Sequence, residues 1–254
     1  MKGFITFTKK EFMEQIRSYK ALILIAVLFL FGMLSPLLAK LMPDIMSQMA
    51  VQGITFNMPK PTAFDAWSQF FKNMSQIGLI VMLLVFGGTL SQELSKGTLI
   101  LPLSKGLPRH SVILSKFVSS IIIWTVCFSF SALTACAYTS FLFNKSFLPY
   151  LFFSLFCYWL FGIFLISLML LSATIVPGNY GGLIMTAAFA ALLLILNISP
   201  KLHKWNPISL SSEVVSLLNK SKPISDFSSA IWVTFILTVA CITVSILVFR
   251  KKKI

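Results

Sequence analysis

Long apolar runs separated by short polar segments set the pattern of this chain. A helix needs about 20 apolar residues to cross the hydrocarbon of a bilayer. Residues 21–39 form the first such run and carry no charge. The second is 73–92, densest at 77–86, and the third is 117–143. Residues 146–200 also hold no charge and are long enough for two crossings. Pro177-Gly178-Asn179 and Gly181-Gly182 divide that stretch into 149–176 and 182–199, because these residue types break helices and favour turns. The sixth run is 227–249. The pattern predicts an all-α integral membrane protein with six spans. Twenty residues precede the first run, too many for the n-region of a signal peptide. Leu37 and Ala39 form no small-x-small cleavage site, so the run reads as a retained span.

The flanking segments have their own periodicity. On a helical wheel Phe4, Ile5, Phe12, Ile16 and Tyr19 share one third of the circumference, with Thr6, Lys10, Glu14 and Arg17 opposite. Residues 1–20 are therefore expected to form an amphipathic helix in the membrane interface, its basic face toward headgroups. The outer loop 40–72 contains Pro43, Pro59 and Pro61, so it is not expected to be one helix. Its end places Phe64, Trp67, Phe70, Phe71 and Met74 at helical spacing, as a membrane-boundary anchor or a packing face. In the second outer loop, 200–226, Ser211 or Ser212 is expected to cap a short helix with Glu213 in its first turn.

Composition supports the membrane reading. Only 11% of the 254 residues are charged, against about 25% in soluble domains. The formal net charge is +14. The basic residues flank apolar runs and form no groove with interleaved aromatics, which argues against a nucleic-acid partner. Their placement instead orients the chain. Lys2, Lys9, Lys10, Arg17 and Lys20 precede the first span. Lys96, Lys105, Arg109 and Lys116 lie between the second and third, and Arg250, Lys251, Lys252 and Lys253 end the chain. Both termini and the connection 93–116 are expected on the cytoplasmic side.

Chemistry-bearing residues are sparse. Cys127, Cys136, Cys157 and Cys241 lie inside apolar runs without paired spacing, and read as buried small hydrophobes rather than disulfide or metal ligands. His110 and His203 both lie in connections, and no H-E-x-x-H is present. Ser129, Ser131, Ser154 and Ser167 have no histidine or acid on the same span, so an intramembrane enzyme is disfavoured. The most informative stretch is 93–116. Gly97 is a natural helix terminator. An apolar segment, 98–103, is set between Lys96 and Lys105, and Gly106 and Pro108 then turn the chain. Such a patch on an aqueous loop needs cover from headgroups, the bundle or another protein.

Glu93-Leu94-Ser95-Lys96-Gly97-Thr98-Leu99, with Leu103-Ser104-Lys105 and Arg109, resembles the E-x-x-x-G-T-L … L-S-K-P-x-x-R stretch of ABC-2 type permeases. Residues 70–78 resemble the start of their second span, and Lys10-Glu11-Phe12 through Arg17-Ser18 their N-terminal interfacial helix. Gly106 stands where that family has proline. The resemblance implies a six-span, type V exporter-like permease that pairs with a second permease copy or a related chain. It further implies two ATPase subunits, which bind ATP and Mg. Glu93 and Gly97 would form the hinge of a coupling segment. Thr98, Leu99, Leu101, Leu103, Ser104, Lys105 and Arg109 would complete the coupling set, with Phe4, Ile5, Phe12, Ile16 and Arg17 in the interfacial helix.

The chain carries no G-x-x-x-x-G-K-[ST] phosphate loop. The chain is also expected to lack the buried ionisable groups of ion-coupled carriers. Energy for export would then come from the partner. A channel, a secondary carrier, or a non-transporting immunity or assembly protein stays open as an alternative. Apolar spans rich in phenylalanine and methionine suit a hydrophobic or amphipathic cargo such as a peptide, lipid or drug. Gly181, Gly182, Ala187, Ala188, Ala190 and Ala191 in the fifth span predict close packing within the bundle or near a dimer axis.

Overall fold

The computed structural model describes residues 2–49, 60–143, 148–176, 178, 180–219 and 221–252, and every regular element among them is helical. Helix α1 (Lys2–Arg17) leads through Tyr19, in the left-handed region, to α2 (Lys20–Met49). Helix α2 continues through Pro36 and Pro43, ten residues past the predicted end of the first span. In a membrane helix, side chains and neighbouring helices can satisfy the backbone that a proline frees. Ser35 does this locally: its Oγ donates to the Phe31 carbonyl (2.7 Å) and accepts from Asn73 Nδ2 (3.0 Å). Pro59 lies outside the described residues.

Helix α3 (Ala63–Asn73) starts where the Thr62 amide and hydroxyl both donate to Asp65 Oδ2 at 2.8 Å. A π-helical turn (Met74–Gly78) joins it to α4 (Leu79–Gly87). The second span thus begins before residue 73. Trp67, Phe70, Phe71 and Met74 are buried, so this stripe is a packing face rather than a boundary anchor. Next come α5 (Ser91–Lys96), α6 (Ile100–Ser104), α7 (Arg109–Leu142), α8 (Leu151–Ile175) and α9 (Gly181–Leu196). Gly178, at φ 104°, marks the predicted turn before α9; Pro177 and Asn179 lie outside the described residues. Short helices α10 (Pro200–His203), α11 (Ser209–Ser212) and α12 (Val214–Leu218) precede α13 (Ser225–Lys251). Neither Ser211 nor Ser212 caps a helix. Both hydroxyls donate back to the Ile208 carbonyl, and Glu213 separates α11 from α12.

Helix α8 is the centre of the bundle. It is apolar on every side and buried along most of its length, as expected of a helix enclosed by others. Helix α7 packs between α2 and α8, while α9 and α13 flank α8. A run of ring contacts ties α7, α8 and α3 together: Trp124 to Phe128, Phe128 to Tyr158, and Tyr158 to Phe71, with centroids 5.2–5.8 Å apart. Gly162 lets α8 approach α7, since a Cβ there would stand 2.4 Å from the Trp124 ring. At one end of the bundle Ile208, Leu210, Val214, Leu217 and Leu218 are buried, with α11 and α12 against α8.

Among the described residues, five helical stretches are long and apolar enough to cross a membrane: 20–45, 63–96, 109–142, 151–175 and 225–251. Helix α9 has 16 residues and rises about 24 Å, short of the roughly 30 Å hydrocarbon thickness. Gly182 packs closely against Ala173 of α8, but most of the alanines of α9 do not pack inside this chain. Only Gly182 and Thr186 are buried, while Ala187, Ala188 and Ala191 are exposed and Ala190 half-buried. Cys127, Cys157 and Cys241 are buried as expected, but Cys136 lies on the exposed side of α7.

Candidate functional site

Helix α1, the connection 91–108, the first turns of α7 and the last turn of α13 meet at the end of the bundle that holds both termini. Helix α1 turns a largely polar face inward. Phe7, Glu11 and Gln15 are buried, one turn apart, against α7. Thr8 donates to Ser115 Oγ (3.0 Å) and Gln15 to Ser119 Oγ (3.0 Å). Of the predicted membrane-facing stripe, Ile5, Ile16 and Tyr19 are exposed, and Phe4 and Phe12 half-buried. Arg17 is exposed on the opposite side.

Lys116 is the centre of this region. Its side chain is fully buried; Nζ donates to Glu11 Oε2 (2.7 Å) and to the Thr89 carbonyl (3.1 Å), and forms a close ion pair with Glu93 Oε2 (2.6 Å) outside hydrogen-bond geometry. Two hydrogen bonds and one ion pair thus surround the ammonium group. They join α1, α5, the end of α4 and α7 at one atom. Lys10 completes the cluster, with Nζ 3.0 Å from Glu93 Oε1, 3.2 Å from Glu11 Oε1 and 2.6 Å from Glu14 Oε2. It also lies 5.3 Å from the centre of the Phe7 ring. The expectation of no buried ionisable group is thus overturned. The sequence pattern marked Lys116 only as one cation of a basic connection, and the signal for its burial was the serine-rich flank Ser111, Ser115, Ser119 and Ser120 on one helix face.

Two protonation equilibria at the edge of the cluster are displaced. Burial alone would raise the Glu14 carboxyl, but the Lys10 hydrogen bond and the charges of Lys10, Lys116 and Lys20 hold it below the ordinary carboxylate value. Burial likewise opposes the charge on Lys10, and is outweighed by Glu14, Glu11 and Glu93, so its pKa is raised. The carboxylates of Glu11, Glu14 and Glu93 lie within 4.8 Å of one another, a spacing that would suit a metal ion. Two lysine ammonium groups already sit among them and supply the compensating charge.

The connection itself is built on two glycine stops of the same design. Gly97 follows α5 at φ 66°, with its amide directed to the Leu94 carbonyl and the Thr98 amide to Glu93. Gly106 follows α6 at φ 86°, with its amide directed to Leu103 and the Leu107 amide to Pro102. Both are Schellman motifs, which need a left-handed residue. Proline, fixed near φ −65°, cannot occupy position 106 in this turn. Between the stops Leu99 is buried, Leu103 half-buried, and Ile100 and Leu101 are 54% and 65% exposed. Thr98, Ser104 and Lys105 are exposed. Across from α6, α1 contributes Gly3, Thr6 and Lys10 to a groove of about 660 Å³.

Arg109 points away from this surface. Its Nη1 donates to the carbonyls of Phe249 (3.2 Å), Arg250 (3.0 Å) and Lys252. A cation there satisfies orphaned carbonyls and complements the negative end of the α13 dipole. Lys252 Nζ donates to the Thr174 carbonyl at the end of α8 (3.0 Å). The structure therefore gathers Glu93, Leu99 and Leu103 with α1, sets Leu101 and Lys105 across a groove from it, leaves Thr98 and Ser104 exposed, and assigns Arg109 to the end of α13.

The comparisons with known proteins agree with this architecture. A model of the ABC-2 family transporter protein matches residues 5–254, nearly the whole chain. A search among curated proteins gave no match.

Proposed function

We propose that this chain, which belongs to the ABC-2 transporter family, is the permease of an ATP-driven exporter powered by a separate ATPase subunit. Two ATPase subunits, carrying ATP and Mg, would serve two permease copies or a permease and a related chain. The observation that carries the reading is the pair Ile100 and Leu101. They stand exposed on a short helix, α6, framed by two rigid glycine stops, at the end of the bundle where the charged cluster lies. An apolar knob held this way calls for a partner surface. Both termini and α6 face the cytoplasm in this reading, which follows from the basic residues at that end. An even number of crossings is then required, and α9 supplies the sixth.

The cluster gives the docked segment a route into the bundle. Glu93 lies one turn before the Gly97 stop and shares Lys116 with Glu11 of α1. A displacement of α6 by the ATPase would move α5, α1 and the start of α7 together, a bias on a two-state bundle of the kind ATP binding exploits. Cargo would be hydrophobic or amphipathic, moved outward along the apolar spans.

Buried Lys116 and its carboxylates favour one rival, an ion-coupled carrier. Lys116 lies seven residues inside a 34-residue helix, about 10 Å from its start, where a helix of about 51 Å is leaving a 30 Å core. A relay group would be expected nearer the midplane. Co-expression of the permease with its ATPase tests the docking reading. Leu101→Asp should abolish co-purification of the ATPase while leaving the permease folded and membrane-inserted; retention of a stoichiometric complex would refute it.

A further inference from the structure

Charge is distributed at this end in a way that specifies the partner's chemistry. All seven acidic side chains of the protein are among the described residues. Three of them, Glu11, Glu14 and Glu93, lie at the end with the termini, and Lys10 and Lys116 hold all three in the cluster. The other four, Asp44, Asp65, Glu213 and Asp226, lie on α2, on α3, just before α12 and in the first turn of α13, toward the opposite end. The surface around α6 is thus left with cations alone. Lys96 and Lys105 are exposed on either side of Ile100 and Leu101, and neither pairs with a described carboxylate. Arg250 and Lys251 add exposed charge at the same end.

From this we infer that the partner surface receiving α6 is an apolar pocket with an acidic rim. The inference rests on the docking reading above and adds the chemistry of the contact. Ile100 and Leu101 fill the pocket, while Lys96 and Lys105 meet carboxylates on its two sides. Like-charged rims would repel, and a neutral rim would leave the steering unused. An anionic membrane surface offers the same charge but not the same shape. The apolar pair projects beside a groove walled by Thr6 and Lys10 of α1 on one side and Leu101 and Lys105 on the other, a relief that a flat surface does not fill. Helix α1 also exposes the apolar residues Ile5, Met13 and Ile16.

The test uses full-length permease in nanodiscs of phosphatidylcholine alone, with the ATPase subunit of the same transporter as the probe. Affinity should fall by about ten-fold or more between about 0.1 M and about 1 M salt, as the screening length shrinks from about 10 Å to about 3 Å. Lys96→Glu with Lys105→Glu should weaken low-salt binding by at least about ten-fold and flatten the salt dependence. Monodispersity and thermal stability equal to wild type would show that the variant is folded. Leu101→Asp separates the two readings. If it abolishes binding while salt and charge reversal do nothing, docking stands and the acidic rim is overturned. If Leu101→Asp also has no effect, the docking reading falls with it. Charge reversal that spares the ATPase but removes affinity for phosphatidylglycerol vesicles would assign these cations to the membrane and overturn the inference.

Discussion

At the residue scale, the molecule is organised around one buried lysine. Removing a single member of a buried, hydrogen-bonded ion set leaves the others uncompensated, at a cost of about 3–5 kcal/mol. Lys116→Met should lower the thermal midpoint in detergent by an amount consistent with that cost. Lys116→Met combined with Glu11→Leu and Glu93→Leu should recover much of it, because an apolar set of similar volume carries no unpaired charge. Equal stability of the single and triple variants would contradict the ionic account. The pH dependence follows from Glu14. Its pKa is lowered in the folded protein, so its contribution is complete above the ordinary value of 4.5 and is lost as pH falls through the lower, folded value. Thermal midpoints measured across that acid range should fall less steeply in Glu14→Gln than in wild type. Lys10 acts in the opposite window, its contribution present below 10.5 and lost only as pH rises through its raised value. Beyond the serine-rich flank of Lys116, residue types alone gave no sign of the cluster. Lys116 reads as one more cation in a basic connection until the fold places Glu11, from over a hundred positions away, within 2.7 Å of it.

At the element scale, the apolar periods predicted the helices and missed their ends. Run length cannot show that α2 persists through Pro43, because Ser35, Asn73 and the packed neighbours that sustain such a helix are tertiary partners. The wheel of α1 predicts an apolar stripe of Phe4, Ile5, Phe12, Ile16 and Tyr19, whereas its bundle-facing side is set by Phe7, Glu11 and Gln15, two of them residues that a two-sector reading assigns to water. The connection 93–109 was the most legible part. Glycine at 97 announced a stop, and the departure from proline at 106 has a backbone cause. Gly106→Ala meets no steric neighbour within 4 Å, so its effect should be purely conformational, about 1–2 kcal/mol against the left-handed turn. Hydrogen exchange at 103–107 should rise in Gly106→Ala and rise further in Gly106→Pro, which also loses the amide bond to Leu103. Unchanged protection in both would show that the second stop does not hold α6.

At the scale of the whole molecule, the fold class and the family were legible and the lateral partners were not. The 11% of charged residues and six apolar runs point to a membrane bundle, and the helices bear this out for five long stretches. Helix α9 was expected to pack closely within the bundle or near a dimer axis; within one chain it leaves Ala187, Ala188 and Ala191 uncovered, which leaves the dimer axis as the place for them. Small residues on an exposed span suit close approach of a second permease chain. Ala188→Phe should therefore reduce dimer yield in detergent while leaving the monomer folded, and an unchanged yield would move the contact elsewhere. The central claim is that this permease transmits work from a separate ATPase through α6. Its most direct test is the ATP hydrolysis rate of that ATPase in proteoliposomes, alone, with wild-type permease, and with Leu101→Asp. The account predicts a rate that changes when wild-type permease is present and stays at the ATPase-alone level with Leu101→Asp. A rate indifferent to the permease, or one equally changed by both forms, would contradict it.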